Sequence, residues 1–197
     1  MHSTNKKFSL NNFKKIYLMA PPNVSTGCPE SLHQLGYILK NNLNKNVQIF
    51  YYPNTDQNPV HKNYEKYSLD FTDKIEDSPE NLIIIPEYFN FLIKTLNYKK
   101  IKKVIWWLSI DNYIGSRFRF TNNKFLRSLY KIPFNLINFF NYFTYFLFGI
   151  LTIEEYLKFL YSFKNFNKHK EIEQAHFHVA QSNYAYNYLK KRFDLIE

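Results

Sequence analysis

Two carboxylates and a loop of small polar residues are the groups in this chain best placed to do chemistry. Glu87 closes one apolar run, Asn81–Pro86, and Asp111 with Asn112 follows another, Val104–Ser109. Carboxylates at the carboxyl ends of parallel strands border the crevice where open α/β sheets take their ligands. There a carboxylate accepts a hydrogen bond from a substrate hydroxyl, or removes its proton as a general base. Asp and Asn also favour turn and helix caps, the structural alternative for Asp111 and Asn112. Ser25, Thr26 and Gly27 come after a third apolar run, Ile16–Ala20, and Tyr52 and Gln181 lie at the ends of two more. If these runs are parallel strands, all of these residues share one rim of one sheet.

Three further groups have a chemical reading and a plainer one. Cys28 is the only cysteine, so no internal disulfide forms and a reducing compartment fits. At a helix N-terminus its thiol pKa would fall, which makes it a candidate nucleophile beside the alternative of an inert buried thiol. His176 and His178, two apart, face the same side of a strand, but no third ligand lies near them. Two strand histidines are therefore expected, and no metal. Trp106 and Trp107 face opposite sides, one in the core and the other stacking on a sugar or base, or packed under a helix.

The elements that position these groups follow from apolar patterning. Ile16–Ala20 is bounded by a basic pair and prolines and predicts a buried strand. Asn23 to Gly27 supply turn residues. A helix then opens with Pro29 in its first turn and Glu30 near the positive end of its dipole. Leu32, Leu35, Gly36 and Leu39 give it one apolar face. Val47–Tyr52 predicts a second strand, 54–66 a surface loop, and the acidic stretch 73–80 a short helix. Asn81–Glu87 reads as a strand buried on both faces, Tyr88–Tyr98 as a helix, Val104–Ser109 and His176–Ser182 as further strands, and Asn183–Phe193 as a closing helix. Strand and helix alternate with short links, which predicts a mostly parallel α/β sheet of five to six strands, Rossmann-like in its opening unit. The dinucleotide fingerprint is missing, because Gly27 stands where G-x-G-x-x-G needs three glycines.

At 197 residues the chain fits one domain. The expected layout is a polar tail over 1–13 and one domain over 14–197, with an inserted basic and aromatic segment at about 113–164. Aromatic content of 20% excludes a disordered chain. The net charge of +10 favours anionic membranes, nucleic acid or anionic substrates. Abundant Asn, Lys, Ile, Tyr and Phe also match an A+T-rich coding sequence, and no nucleic-acid motif accompanies the charge. Arg117 and Arg119 precede a stretch, Ile132–Ile153, without charged residues. Its length permits a bilayer span, but Pro133, Gly149 and a stripe of Asn135, Asn138 and Asn141 favour an amphipathic helix. Such a helix docks on an anionic membrane or packs within the protein or a subunit interface, in either case through Phe139, Phe143 and Phe146. The polar, basic N-terminus lacks the apolar stretch of a signal peptide. The expected location is the cytoplasm, peripheral on the inner face of the membrane.

Four stretches in this order, IYLMAPPNVSTGCPESLHQL (16–35), NLIIIPE (81–87), KVIWWLSIDNY (103–113) and AQSNYAYNYL (180–189), resemble the N-terminal half of bacterial glycosyltransferases with two facing Rossmann-like domains, the GT-B architecture. The resemblance runs from about Lys14 to Phe193. It implies an acceptor-side domain in lipopolysaccharide or surface-polysaccharide synthesis. An acceptor hydroxyl on a glycan or lipid-linked glycan attacks the anomeric carbon of a nucleotide-sugar, and a nucleoside diphosphate leaves. No cofactor beyond that donor is implied. Glu87 or Asp111 then positions or deprotonates the hydroxyl, while Ser25, Thr26, Gly27, Tyr52, Asn112 and Gln181 line the substrate. Arg117, Arg119, Phe139, Phe143 and Phe146 meet membrane or acceptor lipid.

The chain departs from the family at two points. Cys28 replaces the second loop glycine, and the donor-binding acid motif of the C-terminal half has no match. The expectation is an enzyme domain that is incomplete alone, with the donor half absent or on a separate chain. The alternative is a non-catalytic interaction module.

Overall fold

The computed structural model describes residues 8–113 and 172–193, apart from 56, 90, 91, 96 and 173. Strand β1, Lys15–Ala20, lies at the centre, and five of its six residues are buried. Strand β2 (Asn46–Tyr51) pairs with it on one side and β4 (Asn81–Pro86) on the other, both parallel. β3 (Phe71–Thr72) adds to β2, β5 (Lys102–Trp107) to β4, and β6 (Phe177–Ala180) to β5. The result is one six-stranded, all-parallel sheet in the order β3-β2-β1-β4-β5-β6. Strand order reverses between β1 and β4. That is the switch point of a doubly wound sheet, where the connections leaving the two strands part and open a crevice.

Side chains alternate across each strand, so the sheet has two apolar faces. On one, Ile16, Leu18, Ala20, Val47, Ile49, Tyr51, Leu82, Ile84 and Val104 form a core with Leu32 and Leu39 of helix α1 (Gly27–Asn41). Helix α1 settles close because of Gly36. A Cβ there would meet Leu69 Cδ1 at 2.7 Å and Leu18 Cδ1 at 3.1 Å. The alternate residues Tyr17, Met19, Phe50, Ile83, Ile85, Ile105 and Trp107 are buried too. Sandwiching of this kind is why parallel strands read as unbroken apolar runs. Trp106 and Trp107 do face opposite sides: Trp107 is fully buried, and Trp106 packs half-buried against the α1 core.

The chain departs from the sequence reading in several places. β3 has only two residues, too few to leave a period. No helix forms over 73–80, because Ile75 is buried and the Asp77 carboxylate turns to accept N–H bonds from Lys99, Lys100 and Ile101 (3.0, 2.9 and 2.8 Å). The expected loop 54–66 ends in a 3₁₀ segment, Lys62–Tyr67, with Tyr64 buried. After β4 the described helical pieces are a 3₁₀ turn, Glu87–Phe89, and a short helix α2, Leu92–Thr95. A last helix, α3, spans Asn183–Phe193, and the Ser182 hydroxyl accepts from Ala185 N–H at its start (3.2 Å). The packed domain also begins before Lys14: Phe8, Leu10 and Phe13 pack on the core, and Phe8 lies 4.7 Å from the Phe177 ring.

The chain divides into two compact units, 1–108 with 171–197 and 109–170. Of the second, Ser109–Tyr113 are described. The expected membrane-contact residues Arg117, Arg119, Phe139, Phe143 and Phe146 lie outside the described residues. Among the described residues no helix is long and apolar enough to cross a membrane.

Candidate functional site at the carboxyl end of the sheet

The loop leaving β1, 21–26, is tied down by the segment that precedes β3. Asn23 N–H donates to the Pro59 carbonyl (2.9 Å). The Asn63 amide donates to Ser25 Oγ (2.9 Å). Tyr64 Oη accepts from Thr26 N–H and donates to the Thr26 carbonyl, both at 3.2 Å. Tyr64 in turn stacks on the His33 ring, with centroids 4.2 Å apart. His33 is 1% exposed. Its Nδ1 donates to the Pro29 carbonyl (2.6 Å), which fixes the tautomer, so Nε2 accepts from the Tyr51 hydroxyl (2.8 Å). Burial holds the His33 pKa below its ordinary value, against the opposing pull of the Pro29 carbonyl and Glu30.

This arrangement sets what the start of α1 can bind. Thr26 caps the helix through its backbone and makes no side-chain cap bond. Of the N–H groups at a helix start, that of Thr26 is taken by Tyr64, and Pro29 has none. Gly27 and Cys28 remain, with no backbone N–H partner among the described residues. A Cβ built on Gly27 meets nothing within 4 Å. The space before it is open, and the fold itself does not require glycine there.

Cys28 lacks the lowered pKa that its helix position suggested. Burial raises its pKa strongly and the nearby Glu87 carboxylate raises it further, outweighing a lowering contact with Tyr88. The thiol therefore stays protonated. The Tyr88 hydroxyl lies against it, buried and with no oxygen or nitrogen partner among the described residues.

Glu87 is 0% exposed, and its Oε2 accepts from Leu108 N–H (2.9 Å). As placed, this carboxylate joins the end of β4 to the end of β5 and does not face solvent. Tyr52 is half-buried, with its ring edge-on to Phe89 at 6.1 Å. Gln181 donates its backbone N–H to the Trp107 carbonyl (3.1 Å) and has an exposed side chain. All these residues stand at the carboxyl end of the sheet. Gln181 ends β6, three strands from β1, or about 14 Å at ordinary strand spacing. Ser25, Thr26, Gly27, Cys28 and Glu87 thus flank the switch point together, and Gln181 stands apart.

Asp111 and Asn112 belong to the second unit and are exposed. The cap of their helical turn is Ser109, whose Oγ accepts from Asn112 N–H (3.3 Å). His176 and His178 share a face. Each turns Nδ1 to a protein donor, Lys103 N–H and Trp107 Nε1–H respectively, both at 3.2 Å. Among the described residues no group of three His, Cys, Asp or Glu side chains is placed to hold a metal ion.

Sequence reasoning did not single out His33, Tyr51, Asn63 or Tyr64. For His33 a signal existed: a polar ring four residues after Pro29, on the apolar stripe of α1. Tyr64 carried none, since it lies in a polar stretch 38 residues from its partner Thr26. Strand order and crevice define a Rossmann-like, doubly wound α/β domain. No family model, no curated protein and no solved structure matches the chain.

Proposed function

We propose that this domain is the acceptor-binding half of a nucleotide-sugar-dependent glycosyltransferase, acting with a donor-binding domain. The observation that supports this best is the chemistry at the start of α1. A phosphate-binding loop presents several converging N–H groups to an anion. Here, among the described residues, the N–H groups of Asn23 and Thr26 are taken by Pro59 and Tyr64, Pro21, Pro22 and Pro29 have none, and the Glu87 carboxylate lies near Cys28. Such a crevice suits a neutral, hydroxyl-bearing ligand better than a diphosphate. The resemblance of the first loop and of the Trp106–Asn112 stretch to such enzymes supplies the reaction class.

In this reading the acceptor oxygen forms a bond to the anomeric carbon as the bond from that carbon to the donor phosphate breaks. The nucleoside diphosphate leaves with the bonding electrons, and the hydroxyl proton passes to a carboxylate. Asp111, exposed, is the candidate for that proton. Glu87, buried against Leu108, is a positioning residue. The segment with Arg117, Arg119, Phe139, Phe143 and Phe146 docks on an anionic membrane surface or the acceptor lipid.

Calorimetric titration of the full chain with an oligosaccharide panel, lipid-linked glycans, nucleoside diphosphates and nucleotide-sugars tests the assignment. Saturable binding of a glycan without heat from nucleotides is expected. Tight binding of a nucleotide-sugar would overturn the acceptor-side assignment. Failure of every glycan and nucleotide to bind would favour a non-catalytic interaction module.

A further inference from the structure

We infer that Tyr64, with His33 and Tyr51 behind it, is the positioning device for the first loop and makes the order of that loop depend on pH. The inference rests on reading 21–27 as a ligand-bordering loop. In the three-glycine fingerprint, close backbone packing holds this loop in place. Here one hydroxyl grips both sides of Thr26, and Asn63 and the Pro59 carbonyl hold Ser25 and Asn23. Every one of these anchors comes from 59–64, so the loop keeps its shape only while that segment stays seated on α1.

The seat is the His33 ring. It is bracketed by the Pro29 carbonyl of its own helix, the Tyr51 hydroxyl of β2 and the Tyr64 ring. The ionisable groups facing it are Glu30 on α1, Tyr51 on β2, and Tyr64 and Tyr67 on the 3₁₀ segment. Glu30 is itself engaged by Lys66 at 3.3 Å and by the Tyr67 hydroxyl. β1 presents apolar Ile16, Leu18 and Ala20 to this core. With His33 neutral, Nε2 accepts from Tyr51. Protonation places a hydrogen on Nε2, and the Tyr51 hydroxyl must turn to accept it. A charge then sits in a buried site, which favours arrangements that admit water beside the ring. Tyr64, stacked on that ring, loosens with it and releases Thr26.

Hydrogen exchange on the full chain and on Tyr64→Phe tests the clamp, because Phe keeps the ring and removes only the hydroxyl. The expected result is amide exchange faster by about tenfold at Thr26, whose N–H loses its acceptor, and unchanged exchange in β1 and β4. Unchanged exchange at the loop overturns the inference. A second measurement needs no variant: amide shifts of Thr26 and Cys28 should titrate with the midpoint of the His33 ring, and distinct midpoints overturn the pH linkage. Glycan affinity is read separately. An intact clamp with no glycan bound counts against the proposed function alone, whereas unchanged exchange in Tyr64→Phe counts against the clamp alone.

Discussion

The two ends of the sheet solve the same problem, the satisfaction of loop backbone groups, in opposite ways. At the amino end, Asp77 accepts three successive N–H bonds entering β5, and Lys14 pairs with Glu80 at 2.6 Å across the surface. These groups lie at or near water, where ionised side chains are cheap to keep. At the carboxyl end, His33 and Glu87 are fully buried and Tyr64 nearly so, and their polar atoms bind helix α1 and Tyr51, the end of β5, and the first loop respectively. Buried polar groups of this kind are not needed to hold a sheet together, and each is destabilising once a partner is lost. The difference teaches that the amino end is built for stability and the carboxyl end for shape.

The largest test of that contrast is Glu87→Ala. It strips the acceptor from Leu108 N–H in a buried setting, and unfolding free energy should fall by about 2–3 kcal/mol. Glu87→Gln keeps an acceptor of the same shape and should fall by under about 1 kcal/mol. Urea denaturation of both variants separates them, and equal losses would mean that the charge matters rather than the hydrogen bond.

Asp77→Ala comes next, with an expected loss of about 1–2 kcal/mol, comparable to removal of a helix cap. Burial raises the Asp77 pKa, but the three N–H donors outweigh it and hold the carboxyl below its usual range. A folded-state pKa below the unfolded one means that the stabilisation is present above about pH 4 and disappears as pH falls through the folded value. Histidine gives the carboxyl end an earlier window. Burial lowers the pKa of His33, and that of His178 from 6.5 to about 4. The unfolded chain takes these protons first, so stability should decline from about pH 6.5 downward. Denaturation midpoints from pH 7 to 3 should therefore fall in two stages. His33→Gln should make the first stage shallower, leaving the part that belongs to His178, and Asp77→Asn should flatten the second. A single acid transition unaffected by His33→Gln would break the comparison.

Much of this architecture was legible in the chain. β1, β2, β4, β5 and β6 are apolar runs ended by turn or polar residues, and the Leu32, Leu35, Gly36 and Leu39 spacing marks α1. Placing Ser25 to Gly27 and Glu87 at one rim followed from strand ends alone. What stayed hidden depends on distant partners. Phe71–Thr72 is a strand only because β2 offers it an edge. The stretch 73–80 is not helical, and its Asp77 finds its donors 22 to 24 residues later. With 17 tyrosines in the sequence, nothing local marks Tyr64 as the one that grips Thr26. The pKa of Cys28 was misjudged for a similar reason: helix position is visible in sequence, whereas burial beside Glu87 is not.

The smallest expected effect is the sharpest on function, and it comes from two glycines of one helix. Gly36→Ala drives a Cβ into Leu69 and Leu18. Overpacking there costs about 1–3 kcal/mol, offset by about 1 kcal/mol of better helix propensity, for a net loss near 1 kcal/mol. Gly27→Ala meets open space, and its φ lies outside the left-handed region. Its stability should stay within about 0.5 kcal/mol of the parent. If the space before Gly27 receives a ligand, the same methyl group should weaken glycan binding while leaving the unfolding curve in place. Parallel unfolding and titration of Gly27→Ala then divide the two roles of this residue. Lost stability would make it a structural turn glycine, and unchanged stability with lost affinity would make it part of the binding crevice.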